Sequence, residues 1–167
     1  MANTSDNLQA AFAGESQASR KYTYFAEKAD KEGQPQIAKL FRAAAEAESV
    51  HARNHLNAMS GIRATADNLK EAISGEHHEF TEMYPVFLAQ AKTDANAKAD
   101  KSFDYANKVE KVHHGLYQQA LKDLETGKKQ ENKPYYVCQI CGYTVEGEAP
   151  DKCPVCNALK ANFKTVD

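Results

Sequence analysis

Apolar side chains recur at steps of three and four along most of the chain, a spacing that places them on one face of an α-helix. This pattern predicts four long helices, at about residues 4–32, 34–60, 66–92 and 96–126. The connections between them are only a few residues long, so neighbouring helices are expected to run antiparallel. Four helices of this length, each with one apolar face, predict a mostly α fold built on a four-helix bundle.

The predicted helix ends follow known residue preferences. Thr4, Ser5 or Asp6 is expected to cap the first helix, and Thr65 the third, because their side-chain oxygens accept hydrogen bonds from free backbone N–H groups. Pro85 lies inside the third helical pattern and is expected to kink it, since proline removes a backbone hydrogen bond.

Acidic and histidine side chains interrupt all four apolar faces near the middle of each helix. The pattern Glu-x-x-His occurs twice, at Glu48 with His51 and at Glu110 with His113. Residues three apart on a helix share a face, so each pair directs a carboxylate and an imidazole to the same side. With the inward acidic residues of the other two helices, the candidate ligands are Glu15, Glu48, His51, Glu76, Glu79, Glu110 and His113.

So many carboxylates on apolar faces require cations. Burying one unpaired carboxylate costs several kcal/mol, and a whole domain is stable by only about 5–15 kcal/mol. Glutamates and Glu-x-x-His pairs projecting into a four-helix bundle form carboxylate-bridged dimetal sites, and hard oxygen ligands with one imidazole per metal suit iron or manganese. The alternative is a bundle whose helices are rotated so that these groups face water. It would require polar groups to interrupt the apolar face by coincidence on all four helices.

A charged stretch without apolar residues, 126–133, separates the helices from a short C-terminal segment. We place the domain boundary there, with a helical domain at 1–133 and a small β-rich domain at 134–167. The segment is too short for a core of its own and is expected to need a metal to fold. Two Cys-x-x-Cys units predict a tetrahedral four-thiolate site for iron or zinc, formed by Cys138, Cys141, Cys153 and Cys156.

Composition narrows the class of protein. Apolar residues make up 42% of the chain and charged residues 26%, as in ordinary globular proteins. The formal net charge of −2 argues against nucleic acid as a partner. No apolar run approaches the ~20 residues that cross a bilayer, and the first residues do not resemble a signal peptide. Because all four cysteines belong to the predicted metal site, no disulfides are expected and a reducing, cytoplasmic location is favoured.

Several motifs together resemble one family along nearly the whole chain. In the helical part they are AFAGES at 11–16, KLFRA at 39–43, ExxHA at 48–52, GExxE at 75–79, EMYP at 82–85 and ExxH at 110–113. In the C-terminal part they are CxxCGY at 138–143, AP at 149–150 and CPxC at 153–156. These motifs are similar to those of the rubrerythrins.

The resemblance implies a ferritin-like bundle with two non-haem irons, followed by a rubredoxin-like domain with one iron on four cysteines. It implies a peroxidase that reduces hydrogen peroxide to water in defence against oxidative stress. Electrons would come from an external donor, a rubredoxin or a reductase, and would pass through the rubredoxin-type iron. The family also commonly forms homodimers, and some members exchange helices between subunits.

The resemblance also implies roles for individual residues. Glu48 and Glu110 would bridge the two irons, and Glu79 would replace His51 as a ligand when the site is oxidised. The implied remaining ligands are Glu15 and Glu79 with His51 for one iron, and Glu76 with His113 for the other.

Tyr22 and Tyr84 match family tyrosines beside the di-iron site. This role is compatible with core packing in which each hydroxyl group finds a hydrogen-bond partner.

Two other functions compete with the peroxidase. A ferritin-like bundle can oxidise ferrous iron with oxygen and hold the product, but such a ferroxidase needs no attached electron-transfer module. The third interpretation is not enzymatic: a zinc-stabilised interaction module on a metal-binding bundle. A ferric thiolate site absorbs visible light and zinc does not, so the colour of the purified protein separates this interpretation from the others.

Overall fold

The computed structural model describes residues 3–129 and 131–166. In chain order its elements are α1 (Thr4–Lys31), α2 (Pro35–Ala58), α3 (Thr65–His78), a π-helical turn (Glu79–Met83), α4 (Tyr84–Thr93), α5 (Ala97–Glu125), β1 (Tyr135–Cys138), β2 (Thr144–Glu146), a 3₁₀ turn (Lys160–Asn162) and β3 (Phe163–Val166). The predicted mostly α fold with a small β-rich end is confirmed. The chain forms two compact units, one up to Arg63 and one from Ala64 onward.

The first unit is an antiparallel hairpin of α1 and α2. Small residues line the contact, which lets the two helix backbones approach closely. Ser19 adds a polar link, since its hydroxyl donates to the carbonyl of Ala45 at 2.9 Å. One buried cluster of this hairpin consists of Ala26, Ala29 and Ala38, with Phe41 packed against it, and Ala45 and Ala52 of α2 are buried as well.

The start of α1 corrects one sequence prediction. Asn3, rather than Thr4, Ser5 or Asp6, is the capping residue, and its side chain accepts a hydrogen bond from the Asp6 N–H at 3.0 Å. The Asp6 carboxylate in turn accepts from the Asn3 N–H at 3.1 Å, which completes a capping box. The helix itself begins at Thr4, as the apolar pattern predicts, and only the identity of the capping residue differs.

The predicted cap of the third helix is also wrong. Thr65 is the first helical residue, and Ala64 precedes it without a side-chain hydrogen bond to the helix end. The Ala64 carbonyl instead accepts from the backbone N–H groups of Asp67 and Asn68, both at 2.9 Å. The backbone alone thus begins this helix.

In the second unit, α3, the π-helical turn and α4 pack along α5. Pro85 is the second residue of α4, which follows the π-helical turn without a break in the helical backbone. In that turn the Tyr84 N–H donates to the Glu79 carbonyl five residues earlier, so the helix is irregular directly before the proline, and the kink expected at Pro85 stays a prediction.

The C-terminal strands form an antiparallel sheet in the order β2-β1-β3. Tyr135 pairs with Glu146 on one side, and Cys138 pairs with Phe163 on the other. Cys138 and Cys153 are buried at the centre of this small module. The boundary that we place between residues 133 and 134 stays a prediction.

None of the described helices combines the length and the apolar content needed to span a membrane.

Candidate metal centres

Three predicted ligands meet in the first unit. Glu15 of α1 faces Glu48 and His51 of α2, and one potential ligand atom from each lies within 4.8 Å of the others. Because Glu48 and His51 are one helical turn apart, Glu48 Oε2 lies 2.8 Å from His51 Nδ1. The His51 side chain is 55% exposed, so this group is open to solvent on one side.

The second unit repeats this arrangement in a more buried setting. Glu76 of α3 joins Glu110 and His113 of α5, again with the three ligand atoms within 4.8 Å. His113 Nδ1 lies 2.8 Å from Glu110 Oε2 and 3.7 Å from Glu76 Oε1. Both carboxylate side chains are only 17% exposed. Oε2 of Glu76 is buried without a hydrogen-bond partner in the described part of the chain. A bound metal ion would supply the missing partner of this oxygen.

The protonation of this second group reflects the crowding of its carboxyl groups. Burial, reinforced by the charge of Glu110, raises the pKa of Glu76 to about 7. The same two causes raise the pKa of Glu79. The hydrogen bond to Glu110 raises the pKa of His113. Without metal, the group therefore retains protons that a cation would displace.

The imidazole of His113 also contacts the cysteine module. Its Nε2 lies 3.0 Å from the Thr144 hydroxyl at the start of β2, on the side opposite the carboxylates. The Thr144 hydroxyl donates to the Gly142 carbonyl at 3.0 Å. Gly142 has φ of +86°, and a Cβ at this position would lie 3.7 Å from Val109 of α5. The turn after Cys141 therefore lies directly on the helix that carries Glu110 and His113.

Glu79 belongs to the second unit but not to the three-ligand group there. It begins the π-helical turn, one turn after Glu76, and it is close enough to Glu110 for that charge to raise its pKa. Its predicted exchange with His51 of the first unit stays a prediction. A carboxylate on a π-helical turn is typical of functional positions, because such turns re-aim side chains within a helix.

The two predicted tyrosines lie in different aromatic clusters. Tyr84 packs against Phe103 of α5, with ring centroids 6.2 Å apart. Burial, followed by the charges of Glu110 and its neighbours, raises the pKa of the Tyr84 hydroxyl, so this ring lies beside the carboxylates. Tyr22 packs against Phe25 and Phe41, with centroids 6.2 Å away in both cases.

The four cysteines come together as predicted. Cys138 Sγ lies 3.6 Å from Cys156 Sγ, and Cys141 Sγ lies 3.5 Å from Cys153 Sγ. A tetrahedral metal with bonds of ~2.3 Å to sulfur separates its ligand atoms by about 3.8 Å, so the cluster is nearly of the right size. Burial raises the pKa of the Cys141 thiol, a penalty that a coordinated cation removes.

Sequence reasoning missed Thr144. A threonine at the start of a short strand has an ordinary explanation in β-propensity, and no spacing links it to His113, which lies 31 residues earlier. Its position three residues after Cys141 is the only signal, and this becomes informative only once the turn is known to lie on α5.

Comparisons with known proteins agree with this arrangement. Residues 6–121 match the family model described as Rubrerythrin, and residues 136–164 match the model described as the rubredoxin-like domain of rubrerythrin. Rubrerythrin-2 of Clostridium acetobutylicum is 36% identical over 177 residues, covering 98% of this chain and 96% of the relative. Nigerythrin of Nitratidesulfovibrio vulgaris is 34% identical over 175 residues, covering 96% of this chain and 85% of the relative.

Solved structures give the same result. The fully reduced, all-ferrous state of nigerythrin matches with a TM-score of 0.58 and 34% identity, covering 99% of this chain and 88% of that one. Fold and site together define a ferritin-like helical protein with carboxylate–histidine groups and a four-cysteine module. The chain belongs to the rubrerythrin family. It accordingly combines the di-iron site of that family of oxidoreductases with a rubredoxin-like four-cysteine site, and the predicted family, fold and cofactors are confirmed.

Proposed function

We propose that this protein is a non-haem di-iron peroxidase that reduces hydrogen peroxide to water in defence against oxidative stress. Its electrons would arrive through the rubredoxin-type iron site from an external donor, a rubredoxin or a reductase. The observation that carries this proposal is the 3.0 Å contact between His113 Nε2 and Thr144, which joins the more buried carboxylate–histidine group to the cysteine module. A ferroxidase or an iron store has no use for an attached thiolate site, so this contact favours the peroxidase.

Each carboxylate–histidine group offers three ligands to one iron. The donor atoms are hard oxygens with one imidazole, and the unpartnered Oε2 of Glu76 is available to a metal. We assign the ligands as Glu15, Glu48 and His51 for one iron, Glu76, Glu110 and His113 for the other, and Cys138, Cys141, Cys153 and Cys156 for the third.

The overall reaction balances without a further reagent: one hydrogen peroxide takes up two electrons and two protons and gives two water molecules. Bound as two ferrous ions, the di-iron site supplies Lewis acidity and both electrons. As the family resemblance implies, Glu79 would replace His51 as an iron ligand on oxidation. Because Glu79 lies outside the three-ligand group and is close enough to Glu110 for that charge to raise its pKa, it would also move protons. Tyr84 would orient peroxide through its hydroxyl, while its ring packs against Phe103 and helps to exclude water.

A homodimer is also part of the proposal, as the family resemblance implies. Several large apolar side chains are exposed on the first helical hairpin, and a second copy of the chain would cover them. They include Leu40, which is 68% exposed, and Tyr24, which is 62% exposed. A reducing, cytoplasmic location is also part of the proposal, because cysteines that hold a metal leave none for the disulfides of secreted proteins.

The test is to mix the anaerobically reduced protein with hydrogen peroxide, and separately with oxygen, while following the visible band of the thiolate iron. Fast reoxidation by peroxide and much slower reoxidation by oxygen is the expected result. Preference for oxygen would replace this proposal with an oxidase or a ferroxidase. Absence of the band would indicate zinc on the cysteines and remove the electron path.

A matched variant sharpens this experiment. Cys141→Ser removes one ligand of the thiolate site but no ligand of the bundle. With an excess of external donor, the variant is expected to consume only the peroxide equivalent to its preloaded electrons, whereas the wild-type protein turns over continuously. Continuous turnover by the variant at the wild-type rate would show that electrons bypass the cysteine module.

A further inference from the structure

We propose that Thr144 is a positioning residue for His113, so that the cysteine module forms part of the metal site carried by α5. This inference rests on the proposed role of His113 as an iron ligand. Thr144 holds Nε2 of the imidazole at 3.0 Å, while Nδ1 of the same ring faces Glu110 and Glu76. The ring is thereby oriented with Nδ1 as the ligating nitrogen.

The direction of the hydrogen bonds follows from the number of protons available. The Thr144 hydroxyl has one proton, which it donates to the Gly142 carbonyl at 3.0 Å. Its oxygen then accepts, so His113 must donate from Nε2–H. In the metal-free protein, Nδ1–H donates to Glu110 Oε2 at 2.8 Å. A metal ion that displaces this Nδ1 proton leaves a neutral imidazole whose remaining proton is on Nε2. Thr144 and Gly142 together therefore favour the tautomer that binds a metal at Nδ1.

The location of Thr144 makes this contact sensitive to the cysteine site. Thr144 follows the turn whose Gly142 N–H donates to the Cys138 carbonyl at 2.8 Å, and whose Tyr143 carbonyl accepts from the Cys138 N–H at 2.9 Å. This turn connects the first two cysteine ligands to β2, and a metal on the four thiolates orders it. Filling the cysteine site is thus expected to strengthen metal binding on α5, and by linkage the reverse also holds.

A purely local role for Thr144 is the competing explanation. Its hydroxyl bond to Gly142, two residues earlier, would stabilise the turn even if His113 were absent. That role predicts weaker metal binding by the cysteines and no change at α5. The positioning role predicts weaker metal binding at α5 and little change in metal binding by the cysteines. Measuring the metal affinity of each site therefore separates the two explanations.

The experiment uses the full chain with its four-cysteine site filled by one equivalent of Zn²⁺ and follows the binding of Co²⁺ to the helical domain. Thr144→Val is expected to weaken Co²⁺ binding about 10- to 100-fold, the usual cost of losing such a supporting hydrogen bond. Thr144→Ser keeps the hydroxyl and is expected to bind like the wild-type protein. Thr165→Val, on the exposed face of β3, is the matched control and is expected to change nothing.

Nitrogen-15 NMR of His113 gives a second readout that involves no turnover. In the protein saturated with Zn²⁺, the Nε2–H proton should exchange slowly with water in the wild type and in Thr144→Ser, and rapidly in Thr144→Val. Equal Co²⁺ affinities for Thr144→Val and Thr165→Val would overturn the inference, as would equal weakening by Thr144→Val and Thr144→Ser. Absence of peroxide turnover in a wild-type protein that shows these differences would count against the proposed function alone.

Discussion

Glu76 of α3 and Glu110 of α5 place carboxylate oxygens within 4.8 Å of each other. Two largely buried carboxylates at this distance repel each other, so the metal-free pair requires one of its groups to retain a proton. This requirement agrees with the pKa of Glu76, which burial and the charge of Glu110 raise to about 7. In the metal-free protein, this pair is therefore a source of pH-dependent stability.

The first prediction concerns that dependence. Burial raises the folded-state pKa of the Glu76 carboxyl group from 4.5 to about 7. Its contribution to the free energy of unfolding is therefore highest below pH 4.5 and falls as the pH rises from the lower pKa to the higher one. Each pKa unit corresponds to about 1.4 kcal/mol, so the metal-free protein should lose of the order of 3 kcal/mol from this source between about pH 4.5 and pH 8. Urea unfolding at these two pH values measures the loss.

Glu76→Gln should remove this part of the pH dependence, while Glu46→Gln, at an exposed position of α2, should leave it intact. The raised pKa of His113 acts in the same direction, since its contribution is lost as the pH rises through its folded-state pKa. A smaller dependence is therefore expected to persist in Glu76→Gln. An unchanged dependence in that variant would contradict the assignment to Glu76.

The second prediction concerns Glu79. Glu79→Ala should slow peroxide turnover by at least about tenfold, because general acid–base groups typically contribute a hundredfold or more. Iron binding should stay close to the wild-type affinity, since Glu79 lies outside both three-ligand groups. Single-turnover mixing with peroxide and a separate iron titration measure the two quantities. Wild-type turnover in Glu79→Ala would remove this residue from the mechanism.

The third prediction concerns the cysteine metal. Removing it should unfold the segment from β1 to β3, because four buried or half-buried thiols cannot replace a metal-stabilised core. The helical signal in far-ultraviolet circular dichroism should stay nearly constant, whereas backbone amides of residues 135–166 should lose their protection from hydrogen exchange. Retained protection in the metal-free protein would mean that the strands and the contact with α5 hold the module together.

The fourth prediction concerns the helical hairpin. Ala38 is fully buried where α1 and α2 meet, so Ala38→Leu should lower the free energy of unfolding by about 1–3 kcal/mol through overpacking. Ala43→Leu adds the same volume at an exposed position of α2 and should have little effect. Urea unfolding of both variants compares them directly. Equal stabilities would mean that the two helices separate easily to accommodate the larger side chain.

Much of the fold and of the candidate site could be predicted from periodicity and spacing. Each described end of the four long helices falls within about two residues of its predicted place, because apolar faces and Gly or Pro residues mark them clearly. Within each Glu-x-x-His pair, the carboxylate and the imidazole lie on one face as predicted, since residues three apart on a helix share a face. The four cysteines also come together, because two Cys-x-x-Cys turns have little freedom once they hold one metal.

The features that could not be predicted depend on contacts between distant residues or on backbone hydrogen bonding. Asn3 rather than Thr4 caps α1 because neighbouring residues compete for one position, and propensity alone does not separate them. The bond from His113 to Thr144 requires that a particular turn of the cysteine module lies on α5. No periodic pattern in either segment contains that information.

The π-helical turn at Glu79–Met83 makes the packing of α4 on α5 depend on the number of residues in that turn. A π-turn contains one residue more than the α-helical turn that it replaces. Since each α-helical residue rotates the chain by about 100°, that extra residue resets the rotational phase of everything that follows. Deleting one residue here would leave the acidic positions before the turn in place and would swing Tyr84 and Phe87 around the axis, away from Phe103. Both halves of this segment are therefore aligned with α5 by one additional residue. Loss of a single codon within the turn would keep the reading frame and would rotate one half of the segment relative to the other.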